Sequence, residues 1–196
     1  RSSGLIAIKL GSTDKLNWVK QTDGLDHILL ISQLGKSFRF AETDVRPMGR
    51  DTQGVRGINL KSADRVVGMI SFPKETLKER DSRVRPFQDV LLVTERGLGK
   101  RTALHEFPLQ HRGGIGVKAA KITEKTGKLV AAKVVDHHTE QVIITSKKAQ
   151  VIKLPLKNIK RIGRDTQGVI LMRFTNKADT VAAVTTVDKE TDTPEQ

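Results

Sequence analysis

Short apolar runs bounded by polar residues recur along this chain, and they predict strands rather than helices. Ile28-Leu29-Leu30-Ile31, entered from Asp26-His27, is a four-residue apolar run of the length expected for a buried strand. Beyond a turn at Gly35, Lys36-Ser37-Phe38-Arg39-Phe40 alternates, which assigns Phe38 and Phe40 to a core face and Ser37 and Arg39 to a wet, basic one. Strands are expected next at Val55 to Leu60 and, after a turn at Ser62-Ala63-Asp64, at Val66 to Phe72. A second set runs through Val90 to Val93, the turn Arg96-Gly97-Leu98-Gly99, the basic strand Lys100 to Leu104, Val117 to Ile122 and Leu129 to Val135. A third comprises Val142 to Thr145, Val151 to Leu154, Val169 to Phe174 and Thr180 to Val187. Ahead of them all, Leu5 to Leu10 and a strand around Leu16 to Gln21, with the single Trp18, read as the back half of an earlier set. Helix should be scarce, with Ile28, Leu30, Val90, Leu92, Val142 and Ile144 in the core.

The sets are copies of one another. Gly49-Arg50-Asp51-Thr52-Gln53-Gly54-Val55 returns letter for letter at Gly163-Arg164-Asp165-Thr166-Gln167-Gly168-Val169, and each copy leads into an apolar run. Similar runs follow Gly4 and Gly116, so the anchor glycines 4, 54, 116 and 168 stand 50, 62 and 52 residues apart. That period suits a propeller blade or a related sheet repeat. The expected repeats are 1–22 (partial), 23–73, 86–136 and 137–187, about three and a half four-stranded blades of an all-β domain. The longer spacing comes from Lys74 to Arg85, a charged stretch read as one short helical turn or a mobile loop. The acidic tail 188–196 has no apolar face and is expected to be disordered.

Charge narrows the function. Lys and Arg number 35 against 22 Asp and Glu, a formal charge of +13, which points to a polyanionic partner. A membrane surface is the weaker reading: no apolar run nears the roughly 18 to 20 residues of a spanning helix, and there is no strong basic amphipathic helix. With no Cys and no signal-peptide pattern, a reducing, cytoplasmic setting is expected. Because Arg1 falls just before the second half of a repeat, the chain reads as a fragment of a longer protein.

Basic residues recur near the same strand and loop of each repeat: Lys36, Arg39, Arg46, Arg50 and Arg56; then Lys100, Arg101, Arg112, Lys118 and Lys121; then Lys147, Lys148, Lys153, Lys157, Lys160, Arg161 and Arg164. One lysine on a wet strand face is ordinary solvation. A repeated array forms a curved track for phosphates, giving sequence-tolerant, salt-sensitive binding that reads DNA deformability. Gly113-Gly114-Ile115-Gly116 and Gly97 to Thr102 lack the spacing of a nucleotide-binding loop and read as turns. Asp51 and Asp165 are expected to cap their own loops by accepting from backbone N–H groups two residues on. His137 and His138, as neighbours in an extended segment, should face opposite ways and hold no metal. No cofactor is expected.

The stretches Arg39-Phe40, Val45 to Arg50, Gly54 to Ile58, Gly99 to Ala103 and Gly163 to Leu171 resemble the C-terminal domain of the DNA gyrase A subunit, with the equivalent topoisomerase IV domain a close relative. The likeness spans nearly the whole chain. It implies a β-pinwheel, a six-bladed disc whose neighbouring blades exchange strands, with duplex DNA wrapped around a basic rim in support of ATP-dependent negative supercoiling. It also implies, as partners, double-stranded DNA, the gyrase B subunit, and the rest of the gyrase A subunit, with a nucleoid-associated setting and no membrane. Gln110, His111, Arg112, Gly113, Gly114, Ile115 and Gly116 resemble the family's gyrase box, with His111 and Ile115 where basic residues are expected; order along the family's chain makes this a degenerate, later-blade version. The family cuts DNA through a tyrosine. This chain has neither Tyr nor Cys, so the expected role is binding, with cleavage elsewhere in the parent. A topoisomerase IV domain and a propeller serving as a protein-interaction platform remain the alternative readings.

Overall fold

The apolar runs are continuous because the strands that carry them are covered on both faces. The computed structural model of the chain describes residues 4–74, 88–111, 114–176 and 178–189. Within these lie β1 (Asp26–Ser32), β2 (Lys36–Ala41), β3 (Val66–Pro73), β4 (Gln88–Thr94), β5 (Leu98–Ala103), β6 (Val117–Lys118), β7 (Leu129–Asp136), β8 (Thr139–Ser146), β9 (Val151–Pro155), β10 (Val169–Ile170) and β11 (Val181–Asp188). One-turn 3-10 helices at Glu42–Asp44, Leu104–Glu106 and Leu156–Asn158 follow β2, β5 and β9. The strands form three antiparallel sheets in the orders β3-β1-β2-β6, β10-β5-β4-β7 and β11-β8-β9.

Each sheet is built on a hairpin closed in the same way. A hydroxyl at the end of the first strand accepts the backbone N–H four residues on: Ser32 from Lys36, Thr94 from Leu98 and Ser146 from Gln150. The turn then passes through a left-handed residue, Gly35, Gly97 or Ala149, with φ of 80°, 77° and 62°. The fourth strand of a sheet is lent by the next repeat. Val117 and Lys118 of β6 pair with Ser37 and Lys36, and Val169 and Ile170 of β10 pair with Gly99 and Leu98. The lent segment enters through Gly116 or Gly168, at φ of 72° and 89°. A Cβ there would lie 2.3 Å from Ser37 O or 2.6 Å from Gly99 O, so only glycine fits.

Sheet stacks on sheet. Leu29, Ile31, Ile70 and Phe72 of the first meet Val90, Leu92, Leu104, Phe107 and Leu129 of the second. On the other face of β4, Leu91 and Val93 meet Val142, Ile144, Leu156, Ile159, Met172 and Val181 of the third repeat. A smaller cluster of Phe38, Phe40 and Ile58 covers the outer face of the first sheet. Fully burying one such side chain contributes roughly 1.5 to 3 kcal/mol, so β4, apolar on both faces, anchors the stack.

Several expectations are corrected. Val90, Leu92, Val142 and Ile144 are buried, but Ile28 and Leu30 are only half-buried, and Leu29 and Ile31 take the fully buried positions of β1. Ile28 and Leu30 face the outer cluster, which no further sheet covers among the described residues. Residues 5–10, 16–21 and 55–60 form no strand; Leu5, Ile6 and Val19 are exposed. Pairing is what stabilises a strand after an anchor glycine, and no strand among the described residues pairs with 5–10 or 55–60; 16–21 lie beside β3 and β7 at Trp18 and Lys20 without joining either sheet. Val117 to Ile122 and Val169 to Phe174 shorten to two-residue strands for a related reason: beyond the ladder their backbone turns inward to place Ala120 and Met172 in the core. Ser37 and Arg39 are buried rather than wet, since the next repeat covers them. Asp188, expected in the tail, closes β11 opposite Thr139. The charged stretch between Lys74 and Arg85, apart from Lys74 itself, and residues 190–196 lie outside the described residues.

Candidate nucleic-acid interface

The repeated heptad forms the joint between repeats. In its second copy the Arg164 guanidinium donates to Lys118 O at 2.8 Å, and Thr166 O accepts from the Lys121 N–H at 3.0 Å. In the first copy, Arg50 reaches Ile6 O at 3.5 Å and Thr52 O accepts from Lys9 N–H at 3.1 Å. Lys118 and Ile6 each stand two residues past an anchor glycine, and Lys121 and Lys9 five, so one clasp is made twice. The loop's internal bond comes from a threonine hydroxyl, Thr52 to Gly49 O and Thr166 to Gly163 O, both at 2.8 Å. This corrects the capping role expected of the aspartates: Asp165 instead accepts from Lys118 Nζ at 3.0 Å, an exposed pair that lowers the Asp165 pKa chiefly through that hydrogen bond.

Three of the predicted basic residues turn inward. Lys100 is 1% exposed, and its ammonium donates to Gly163 O, Arg164 O and Thr166 Oγ1 at 2.7, 2.5 and 3.0 Å. Burial lowers its pKa to about 8, against the pull of Glu106 and Asp165. Arg39 is buried, donating to Phe107 O at 2.7 Å, meeting His27 Nδ1 at 2.8 Å and lying over the Phe72 ring; burial lowers its pKa too. Arg101 donates through Nε to Ile159 O and sits 3.2 Å from the carboxylate of fully buried Asp89, whose other oxygen is 2.9 Å from Arg161 Nε. Burial nonetheless holds the Asp89 pKa above the usual carboxylate range, ahead of the opposing pull of the two arginines. Arg39 and Arg101 also run beside the incoming loop at Leu109 and Arg161. These cations hold each repeat to the next. The signal lies in the aligned hairpins, where Lys100 occupies the inward position of Phe38 and Ile152, and inward lysine needs a polar cage.

The remaining predicted cations stay at the surface. Arg46, Arg50, Arg56, Lys118, Lys121, Lys147, Lys148, Lys153, Lys157, Lys160 and Arg161 are exposed, and Lys36 and Arg164 are half-buried. Lys118 faces Lys36 across the β2–β6 ladder, and Lys160 belongs to the loop that crosses β5, its carbonyl accepting from Arg101 N–H. In the degenerate box, Arg112 and Gly113 lie outside the described residues; Gly114 packs on the Phe38 ring and accepts from Asn59 N–H, and Ile115 is exposed. His137 and His138 do not diverge: both occupy the β7–β8 turn with ring centroids 3.7 Å apart. The acidic group Asp23, Asp26 and Glu42 is an internal device, in which Glu42 accepts from the Thr22 hydroxyl and from the Gly24 and Asp26 N–H groups. No helix among the described residues is long and apolar enough to cross a membrane.

The profile described as "DNA gyrase C-terminal domain, beta-propeller" matches residues 26–73, 88–136 and 140–188. The DNA gyrase A subunit of Klebsiella oxytoca is 38% identical over 182 residues, covering 93% of this chain and 19% of the relative. The chain thus spans about a fifth of the length of the curated relatives it matches. A solved DNA gyrase A C-terminal domain superposes with a TM-score of 0.74 at 26% identity, covering 94% of this chain and 58% of the other. A DNA topoisomerase IV C-terminal domain does so with a TM-score of 0.79 at 21% identity, over 93% and 53%; at that identity it supports the fold alone.

Proposed function

The chain belongs to the DNA gyrase C-terminal domain family, and we propose that it binds duplex DNA without base specificity and bends it along the joints between repeats, as the DNA-wrapping part of a gyrase A subunit. The observation that carries this reading is the recurrence of exposed cations in successive repeats, two pairs of them at equivalent places: Arg56 and Lys118 each stand two residues past an anchor glycine, and Arg46 and Lys160 each eleven past the left-handed residue of a hairpin, with Lys121, Lys153 and Lys157 beside them in sequence. Regularly spaced cations on a curved surface neutralise phosphates without reading base edges, and the bend is taken up by DNA deformability. Lys100 and Arg39, spent on backbone carbonyls, serve the binding surface by holding its repeats together. The domain contributes binding; strand cleavage and ATP use belong to the gyrase B subunit together with the rest of the gyrase A subunit, its proposed partners in a cytoplasmic, nucleoid-bound enzyme that introduces negative supercoils. Identity to gyrase A relatives favours this over a topoisomerase IV domain.

Titrating random-sequence duplex against salt tests the proposal. Each phosphate contact contributes about 0.9 to the slope of log affinity against log salt, so replacing Lys153, Lys157 and Lys160 together by Gln should lower the slope by two to three. Lys100→Met should leave it unchanged. A slope indifferent to the triple substitution, or no binding at low salt, would sink the proposal in favour of a protein-interaction platform.

A further inference from the structure

The repeated heptad recurs a third time in altered form. Aligned on the anchor glycines, His111 to Val117 falls on Gly49 to Val55 and on Gly163 to Val169. The backbone agrees: Asn59 N–H donates to Gly114 O at 3.1 Å, as Lys9 does to Thr52 O and Lys121 to Thr166 O. Two side-chain places differ among the three clasps. The heptad offers Asp51, Gly113 or Asp165, and the residue two past the clasped anchor glycine is Ile6, Arg56 or Lys118 respectively. Only the third clasp sets an acid against a base at these two places.

That pair is open to water. The Lys118 ammonium donates to Asp165 Oδ2 at 3.0 Å, with the two side chains 59% and 57% exposed. Lys36 faces Lys118 across the ladder, and Lys121 and buried Lys100 add to the positive field around the carboxylate. The clasp itself does not use this carboxylate, because it is closed by Arg164 on Lys118 O and by Thr166 O on Lys121 N–H. An exposed ion pair of this kind contributes little to stability. A carboxylate oxygen and a phosphate oxygen are alike as anionic acceptors for an ammonium group. Asp165 therefore occupies, on Lys118, the place that a phosphate of bound DNA would take.

We infer that Asp165 is a built-in competitor of DNA phosphate for Lys118, so that this joint grips DNA less tightly than its exposed lysines alone would. The inference rests on the DNA-binding reading and adds a means of setting its strength. A phosphate arriving at Lys118 has to displace the carboxylate and then lie beside its negative charge, and both effects oppose binding. The grip is thereby graded along the chain by one heptad position, which holds a carboxylate in one copy and glycine in another.

Binding of random-sequence duplex DNA across a salt series provides the test. Asp165→Asn removes the charge and keeps the side chain's size. It should tighten binding about two- to fivefold at low salt and steepen the salt slope by up to about 0.9, one phosphate contact, with the urea midpoint unchanged. Asp51→Asn measures the general effect of deleting one negative charge, since Ile6 stands at the place of Lys118 there, and should tighten binding less. Lys118→Gln should lower the slope more in the Asp165→Asn background than in the parent. Asp165→Asn binding no tighter than Asp51→Asn would overturn the inference, as would a gain that persists in full when Lys118→Gln is added. A parent chain that binds no duplex at low salt would remove the DNA-binding reading together with this one. A parent that binds, with Asp165→Asn matching Asp51→Asn, would remove this inference alone.

Discussion

Replacing Lys100 by Met should change the pH dependence of stability more than any other single cation here. Its ammonium is 1% exposed and donates to three oxygens of the loop 163–166. Removing it takes a donor from Arg164 O, at about 1 to 3 kcal/mol for a group left unsatisfied, while Gly163 O and the Thr166 hydroxyl keep their bond to each other; it also removes the cost of burying a charge. Those effects oppose each other at any one pH. Their pH dependence does not cancel. Folding lowers the pKa from 10.5 to about 8, so between those values the unfolded chain holds a proton that the folded chain has released. Stability must then rise with pH across that interval. From pH 7 to pH 9.5 the rise attributable to Lys100 is about 2 kcal/mol. Urea unfolding of the parent and of Lys100→Met at both pH values isolates it, since other titrations are common to the two chains. The parent should gain about 2 kcal/mol on the variant as pH rises. An equal difference at both values would mean that Lys100 stays charged in the fold, and the account of its burial would fail.

Three further outcomes are expected. Gly168→Ala should destabilise more than Gly54→Ala by roughly 1 to 3 kcal/mol in denaturant unfolding, since both glycines are left-handed but only the first would press a Cβ on a backbone oxygen, Gly99 O at 2.6 Å. Asp89→Asn should cost roughly 3 kcal/mol by uncoupling a buried carboxylate from Arg101 and Arg161; a melting temperature within 2 °C or so of the parent would contradict it. Deleting residues 190–196, which carry Glu190, Asp192 and Glu195, should tighten DNA binding at low ionic strength and lose its effect as salt screens the attraction; unchanged affinity at low salt would count against a tail that competes for the cations.

The repeat, its period, the all-β class and the identity of the strands at the heart of each sheet can be read from residue order alone. Those features are local: a four-residue apolar run such as Val90 to Val93 has one stable use, and a hydroxyl four residues before the turn exit closes its hairpin without help from elsewhere. Two kinds of feature depend on the assembled fold. The first is which repeat completes which sheet. Val55 to Leu60 and Val169 to Phe174 look alike as sequence, yet only the latter gains a strand, because β5 lies beside it. The second is the direction of side chains covered by a neighbouring repeat. Alternation placed Ser37 and Arg39 on a wet face, which holds for an isolated sheet; the strand lent by the next repeat covers Ser37, and that repeat's loop at Phe107 and Leu109 covers Arg39. The same covering turns Lys100 from an expected phosphate contact into the pin of a joint, because a cation at a contact between repeats has backbone carbonyls within reach and solvent shut out.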